Sequence, residues 1–130
     1  MFLHFSNYFT YIYVINHYMK GTNLGEFEEL VLLMIVILDG QAYGVTVSQE
    51  IEEHTGRVVT FGAVHNTLIR LEEKGFVTSE LGGATTERGG RRKRLFKVTA
   101  LGSRALQDIQ QLRNKLWHLM PDGALKTIGL

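Results

Sequence analysis

The chain of 130 residues contains no cysteine and only one proline. Without cysteine it can form neither disulfides nor thiolate metal sites. Its five histidines lie scattered, without the short spacing that a zinc site requires, so we expect no bound metal. The longest apolar run, Leu30 to Leu38, has nine residues, about half of the ~20 that a membrane-spanning helix needs. We therefore expect one domain, located in the cytoplasm and without contact to a membrane.

Groupings of catalytic residues are also missing. The serines have no nearby His and Asp motif. The glycine-rich segment 82–90 lacks the strand-loop-helix setting and the Lys-Ser/Thr ending of a phosphate-binding loop. We expect neither enzymatic activity nor a cofactor.

The first 18 residues contain no Lys, Arg, Asp or Glu and are rich in aromatic side chains. A secretory signal would need a basic start and small residues before a cleavage site, and neither is present. We assign residues 1–23 to an atypical N-terminal extension, and our hypothesis is that Met19 is the natural initiator and that residues 1–18 are upstream translation. The alternative is an extra strand or helix that covers a dimer surface. Mass spectrometry of the native N-terminus distinguishes the two.

Positive charge is concentrated in one segment of a chain whose net charge is only +1. Six of the fourteen Lys and Arg residues lie between Arg88 and Lys97. Acidic residues instead crowd the segment from Glu26 to Glu53. A protein polarised in this way presents one face to an anion, and a chain of phosphates is the expected partner.

Hydrophobic periodicity predicts four helices and two strands, a mainly α fold. Two short helices joined by a tight turn and followed by a β-hairpin indicate a winged helix-turn-helix with a small two-stranded β-wing. The predicted helices cover residues 26–39, 43–54, 61–74 and 100–120, and the predicted strands cover 76–81 and 92–98. Thr60 and Thr99 are the expected N-caps of the last two helices.

Helix 61–74 has the surface expected of a helix that reads DNA. Its predicted core stripe consists of Phe61, Val64, Leu68 and Leu71. The opposite side carries Asn66 and Arg70, which can bind adenine and guanine with two hydrogen bonds each. The small residues Gly62 and Ala63 let the helix N-terminus approach a phosphate. We expect this helix to enter the major groove, although an ordinary solvated helix face is the alternative.

The basic segment 88–97 adds cations beside that helix. Side chains alternate along a strand, so Arg92 and Arg94 share one face while Arg91 and Lys93 share the other. With Arg88, this wing can straddle a sugar-phosphate backbone or place an arginine in the minor groove. Charge that protects an edge strand is the alternative, but four consecutive cations exceed that need. The predicted DNA-binding residues are Thr60, Gly62, Ala63, His65, Asn66, Arg70, Arg88, Arg91, Arg92, Lys93 and Arg94.

Helix 100–120 carries a seam of apolar residues at alternating spacings of three and four, typical of a coiled coil. Nothing else in the chain can cover the seam along its ~30 Å length, so we expect a homodimer. The predicted interface consists of Leu30, Met34, Ala105, Ile109, Leu112, Leu116, Trp117 and Leu119. Trp117 either anchors the dimer or stacks on a flat aromatic ligand. The expected organisation is therefore an extension at 1–23, a DNA-binding domain at 24–99, a dimerisation helix at 100–120 and a tail at 121–130.

Three segments together resemble the PadR-like transcriptional regulators, over roughly residues 24–119. They read LGEFEELVLLMIVILDGQAYGVTV, GAVHNTLIRLEEKGFV and ERGGRRKRLFKVTALG. The resemblance implies a homodimeric repressor that binds a palindromic operator and, as in some members, is released by a small aromatic or hydrophobic effector. It implies DNA contacts from Ala63, His65, Asn66 and Arg70 and from the wing residues Arg91, Arg92 and Lys93.

This sequence departs from the family pattern in two places. His65 stands where the family usually has tyrosine, and the C-terminal part has one helix where many members have several. Two other classes of function remain as alternatives: a winged-helix protein-interaction module without DNA binding, and a small-molecule binding protein without a DNA role.

Overall fold

Four helices and one antiparallel pair of strands form the part of the chain that the computed structural model describes, residues 24–84 and 92–126. The extension 1–23, the wing residues Arg88 and Arg91, and residues 127–130 lie outside the described residues. In chain order the elements are α1 (Glu26–Leu38), α2 (Gly44–Thr55), α3 (Phe61–Glu73), β1 (Val77–Ala84), β2 (Arg92–Val98) and α4 (Ala100–Leu119). This order confirms the predicted winged helix-turn-helix with a long C-terminal helix.

Local hydrogen bonds set the ends of the helices. The Thr60 hydroxyl accepts a hydrogen bond from the Ala63 N–H at 3.1 Å, and the Thr99 hydroxyl accepts one from the Gly102 N–H at 3.1 Å. Both predicted N-caps are therefore confirmed. Helix α2 ends at Gly56, whose φ of 72° lies in the left-handed region that glycine adopts without strain.

Helix α1 lies at the centre of the fold and packs against α2, α3, β2 and α4. Val64, Leu68 and Leu71 of α3 are fully buried against it, as predicted. The prediction that Phe61 belongs to this core was wrong, because its side chain is 58% exposed. Phe61 occupies the first turn of α3, and its ring lies over Gly44, where a Cβ atom would come within 2.7 Å of it. The buried position that the stripe missed is Thr67.

The hairpin is longer than the sequence indicated. Strand β1 continues through Gly82 and Gly83, which we expected in a loop, with an irregularity in the pairing between Leu81 and Ala84. On its other edge, β2 is tied to the α1–α2 connection by a hydrogen bond from the Phe96 N–H to the Ala42 carbonyl, 2.9 Å long. The wing is thus joined to the helical part of the fold by its backbone as well as by its side chains.

An ion pair joins the first turn of α1 to the end of α3. The Lys74 ammonium donates to both carboxylate oxygens of Glu28, at 2.7 and 3.0 Å. Burial alone would raise the pKa of the Glu28 carboxyl. Hydrogen bonds from Lys74 and from the Gly25 N–H, with the positive charges of Lys74 and Arg70, outweigh burial, so this pKa is lowered from 4.5.

We expect Glu28→Gln to reduce the free energy of unfolding at pH 7 by roughly 1–2 kcal/mol, because it removes a charge-assisted hydrogen bond. The folded pKa of Glu28 lies below the unfolded one, so the carboxylate stabilises fully at neutral pH. This contribution is lost as the pH falls below 4.5 towards the folded value. Urea denaturation between pH 3 and 7 should therefore show the gap between wild type and variant closing at acid pH. The exposed Glu52 supplies the control Glu52→Gln, and parallel pH curves for wild type and Glu28→Gln would contradict the assignment.

Helix α4 docks on the residues that follow α3. The Thr99 hydroxyl donates to the Gly75 carbonyl at 2.6 Å, and the Thr99 N–H donates to the Phe76 carbonyl at 3.0 Å. Gly102 lies so close to the Phe76 backbone that a Cβ atom there would approach the carbonyl oxygen to 2.2 Å. Beyond Ile109 every residue of α4 is exposed in the single chain. Over the residues with described placement, no helix is both long enough and apolar enough to cross a bilayer.

Candidate nucleic-acid interface

The outer surface of α3 is open along its whole length. Asn66 and Arg70, which we predicted on the side opposite the core, are exposed. Their neighbours on this surface are exposed as well, apart from the half-buried Ile69; they are Gly62, Ala63, His65 and Glu73. Their orientation away from the core is therefore confirmed, while their contact with DNA stays a prediction. Among the described residues, no atom beyond the chain neighbours and the backbone of α3 itself lies within 4 Å of a Cβ built on Gly62, which leaves the first turn of α3 accessible to a partner.

Arg70 is held against its own helix. Its Nη2 donates to the Thr67 hydroxyl at 3.2 Å, and that hydroxyl donates to the Ala63 carbonyl at 2.8 Å. Thr67 is completely buried although it is polar, and these two bonds satisfy it. To bind a partner outside the helix, the Arg70 guanidinium must exchange the Thr67 hydroxyl for another neutral acceptor. This exchange costs little free energy because the side chain is exposed.

His65 is oriented by a neighbouring ring. Its imidazole stacks on Phe61 with 5.9 Å between ring centroids and an interplanar angle of 14°. Both residues are exposed on the first two turns of α3. Phe61 in turn rests on Gly44, so the exposed stack is anchored at the start of α2. The sequence placed His65 on this surface but gave no sign of its partner.

The described cations of the wing differ in their surroundings. The Arg92 side chain is exposed, and no hydrogen bond or ion pair joins it to another side chain within residues 24–84 and 92–126. The Lys93 ammonium lies 4.6 Å from the centroid of the Tyr43 ring, a cation–π contact. Arg94 donates from Nη1 to the Ser79 hydroxyl at 3.0 Å. The predicted wing is therefore present, but two of its cations already have partners in the chain.

Two residues of the predicted dimer surface are buried in the single chain. Met34 and Ala105 are each 5% exposed because they belong to the core of the chain itself, so they offer almost no surface to a second subunit. Leu30 and Ile109 are half-buried. Three large apolar residues of α1 that we did not select are exposed instead: Leu33, Val36 and Ile37. Since α1 is apolar nearly all round, periodicity could not tell which stripe faces its own core.

The distal part of α4 carries the other four residues of the predicted dimer surface. Leu112, Leu116, Trp117 and Leu119 are each more than half exposed in the single chain. The ion pair between Arg113 and Glu29, 2.6 Å long, fixes the middle of α4 beside α1. A cleft of about 420 Å³ lies between the two helices, with Leu33 and Leu106 among its lining residues.

These observations define a winged-helix protein with an exposed third helix and a basic wing. The chain matches the sequence model of the transcriptional regulator PadR-like family over residues 32–108. It belongs to that family and is a transcriptional regulator, which confirms the resemblance noted above.

Solved structures of similar fold include a PadR-like transcriptional regulator from Bacillus cereus, at 20% identity and a TM-score of 0.58 over 71% of this chain and 84% of that one. A PadR family regulator from Clostridium difficile is 24% identical, with a TM-score of 0.56 over 70% and 93% of the two chains. A transcriptional regulator from Clostridium thermocellum is 21% identical, with a TM-score of 0.55 over 70% and 85%. No curated protein matches the sequence.

Proposed function

We propose that this transcriptional regulator is a homodimeric repressor that binds a palindromic operator in double-stranded cytoplasmic DNA. Helix α3 lies in the major groove, and the wing lies on the sugar-phosphate backbone or in the minor groove. One observation carries the proposal: Asn66 and Arg70 are exposed one turn apart on α3, with an open first turn beside them. No other group of the described chain buries the Asn66 and Arg70 side chains.

In this proposal α3 reads the DNA sequence, and the wing sets the position of the protein along the duplex. Asn66 binds an adenine edge and Arg70 a guanine edge, each with two hydrogen bonds. The open N-terminus of α3 and the stacked His65 lie close to a phosphate. Arg92 projects from β2 and neutralises a backbone phosphate, a contact that positions the protein without reading sequence.

Two copies of the chain present two α3 helices to successive major grooves, about 34 Å apart, which requires a palindromic site. The exposed apolar residues of α1 and α4 support this assembly, because a monomer rarely leaves so much apolar surface in water. A small hydrophobic ligand that enters at this interface and releases the DNA is part of the proposal. The cleft between α1 and α4 and the 61% exposed Trp117 support it.

The proposal is tested by selecting bound fragments from the organism's genomic DNA with the purified full-length chain. A shared palindrome among the fragments, bound with steeply salt-dependent affinity, is the expected result. A protein that binds no fragment at low ionic strength, yet dimerises, would instead favour the protein-interaction module.

Arg70→Ala and Arg92→Ala should weaken binding in different ways. Loss of Arg70 is expected to cost ~1–3 kcal/mol at one base pair and to relax specificity there, because a base contact disappears. Loss of Arg92 should weaken all sequences alike and reduce the salt slope by about 1, because a phosphate contact disappears. Fluorescence anisotropy on the operator and on single-base variants, at several salt concentrations, separates the two outcomes.

Arg104→Ala is the matched control, because it removes an exposed cation from α4. It should leave both specificity and salt slope unchanged. If Arg70→Ala and Arg92→Ala also bind like the wild type, the proposed docking is wrong.

A further inference from the structure

The inner face of the wing carries an arginine. In the hairpin register Ser79 pairs with Phe96 and Leu81 pairs with Arg94, so all four side chains start from the same face. Phe96 is only 3% exposed, which shows that this face is turned towards the helices. The Arg94 side chain therefore leaves β2 on the face that is turned towards the helices.

A relay of hydrogen bonds continues from Arg94 to α3. Arg94 Nη1 donates to the Ser79 hydroxyl at 3.0 Å, and that hydroxyl donates to Glu72 Oε2 at 2.5 Å. Glu72 lies in the last turn of α3, so the relay joins both wing strands to the proposed recognition helix. A serine hydroxyl suits the middle position because it accepts one hydrogen bond while it donates another.

The neighbouring cation on β2, Lys93, contacts α2 through a cation–π interaction. Lys93 starts from the opposite face of the strand, and its ammonium lies over the ring of Tyr43, the N-cap residue of α2. Two consecutive cations thus tie the hairpin to the two helices of the helix-turn-helix. The contacts involve charged groups on fixed secondary structure, so they restrict the angle between wing and α3.

We propose that Arg94 is a positioning residue for DNA binding and not a phosphate ligand: through Ser79 and Glu72 it holds the wing at a fixed angle to α3. This inference rests on the proposed function. Because the wing is already fixed before binding, no conformational entropy is lost in ordering it when α3 and the wing contact the duplex. The relay therefore strengthens binding without touching DNA. The phosphate contact of the described wing then falls to Arg92.

The experiment compares Ser79→Ala, Arg94→Ala and their double variant with the wild type on the selected operator. Each single change should weaken binding roughly 3- to 10-fold, the effect of one or two lost hydrogen bonds. The double variant should be no weaker than Ser79→Ala, because that change already removes both hydrogen bonds of the relay. The salt slope should stay at the wild-type value in all three, whereas Arg92→Ala lowers it by about 1. Ser79→Thr keeps the hydroxyl and should retain wild-type affinity.

Amide hydrogen exchange of the DNA-free protein gives a second readout, independent of operator binding. Ser79→Ala should speed exchange along β1 and β2, and Arg92→Ala should not. A salt slope lowered by about 1 in Arg94→Ala, with effects that add to those of Ser79→Ala, would make Arg94 a phosphate ligand and overturn the inference. Unchanged exchange in Ser79→Ala would also overturn it. A wild type that binds no DNA while the exchange result holds would instead refute the proposed function alone.

Discussion

Gly102→Ala is expected to destabilise the folded chain by about 1–3 kcal/mol or more, although alanine is the better helix former. The added Cβ would lie 2.2 Å from the Phe76 carbonyl oxygen and 3.0 Å from both the Phe76 carbonyl carbon and Val98 Cγ1. Two of these atoms belong to the backbone and cannot rotate away. The two hydrogen bonds of Thr99 to Gly75 and Phe76 fix the start of α4 at this place. The clash therefore exceeds the gain in helix propensity, which is at most about 1 kcal/mol.

Gly62→Ala is the matched control, because Gly62 is also helical but, within the described part of the chain, only its chain neighbours and the backbone of its own helix come within 4 Å of the added Cβ. It should be neutral or should stabilise the chain by up to about 1 kcal/mol. Urea denaturation followed by circular dichroism measures both variants. Equal stability of Gly102→Ala and Gly62→Ala would show that α4 does not pack on the Phe76 backbone.

The sequence predicted the elements of this fold well where local rules decide them. Thr60 and Thr99 cap their helices as expected, because a cap depends only on residues within one turn. Tertiary contacts decided the rest. Phe61 has the spacing of a core residue but folds over Gly44. The sequence of glycines 82–83 is typical of a loop, yet β1 continues through them, across an irregularity in the pairing, to the pair of Ala84 with Arg92. Periodicity records the spacing of side chains and not what lies opposite them.

The contrast between local rules and tertiary contacts also applies to the candidate site. Exposure of Asn66 and Arg70 follows from the helical period of α3 once its buried stripe is known. Strand alternation showed that Arg92 and Arg94 share a face, but it could not show which face meets the helices. That choice depends on the burial of Phe96, and it gives Arg94 a partner 15 residues away along the chain. The one sign of this partner in the sequence was Ser79, a polar residue two positions after Val77 and so on the same face of β1. The structure shows that Val77 is buried.

Leu116→Glu is expected to convert the proposed dimer into a monomer. Leu116 is 53% exposed in the single chain, so the change leaves the core intact and the winged helix folded. In a dimer joined through α4, however, it places two unpaired carboxylates within an apolar seam. Burying such charges costs several kcal/mol, and each 1.4 kcal/mol is a tenfold change in the dissociation constant. The dimer should therefore weaken by at least about 100-fold.

Asn114→Glu is the matched control, because it adds the same charge half a turn away, on the opposite side of α4. Analytical ultracentrifugation over a range of concentrations should show a dimer for the wild type and Asn114→Glu, and a monomer for Leu116→Glu. The monomer should also lose the advantage of two linked half-sites, so its affinity for the palindrome should fall towards that for one half-site. A wild-type monomer, or a Leu116→Glu dimer as tight as the control, would show that the α4 seam does not hold two copies together.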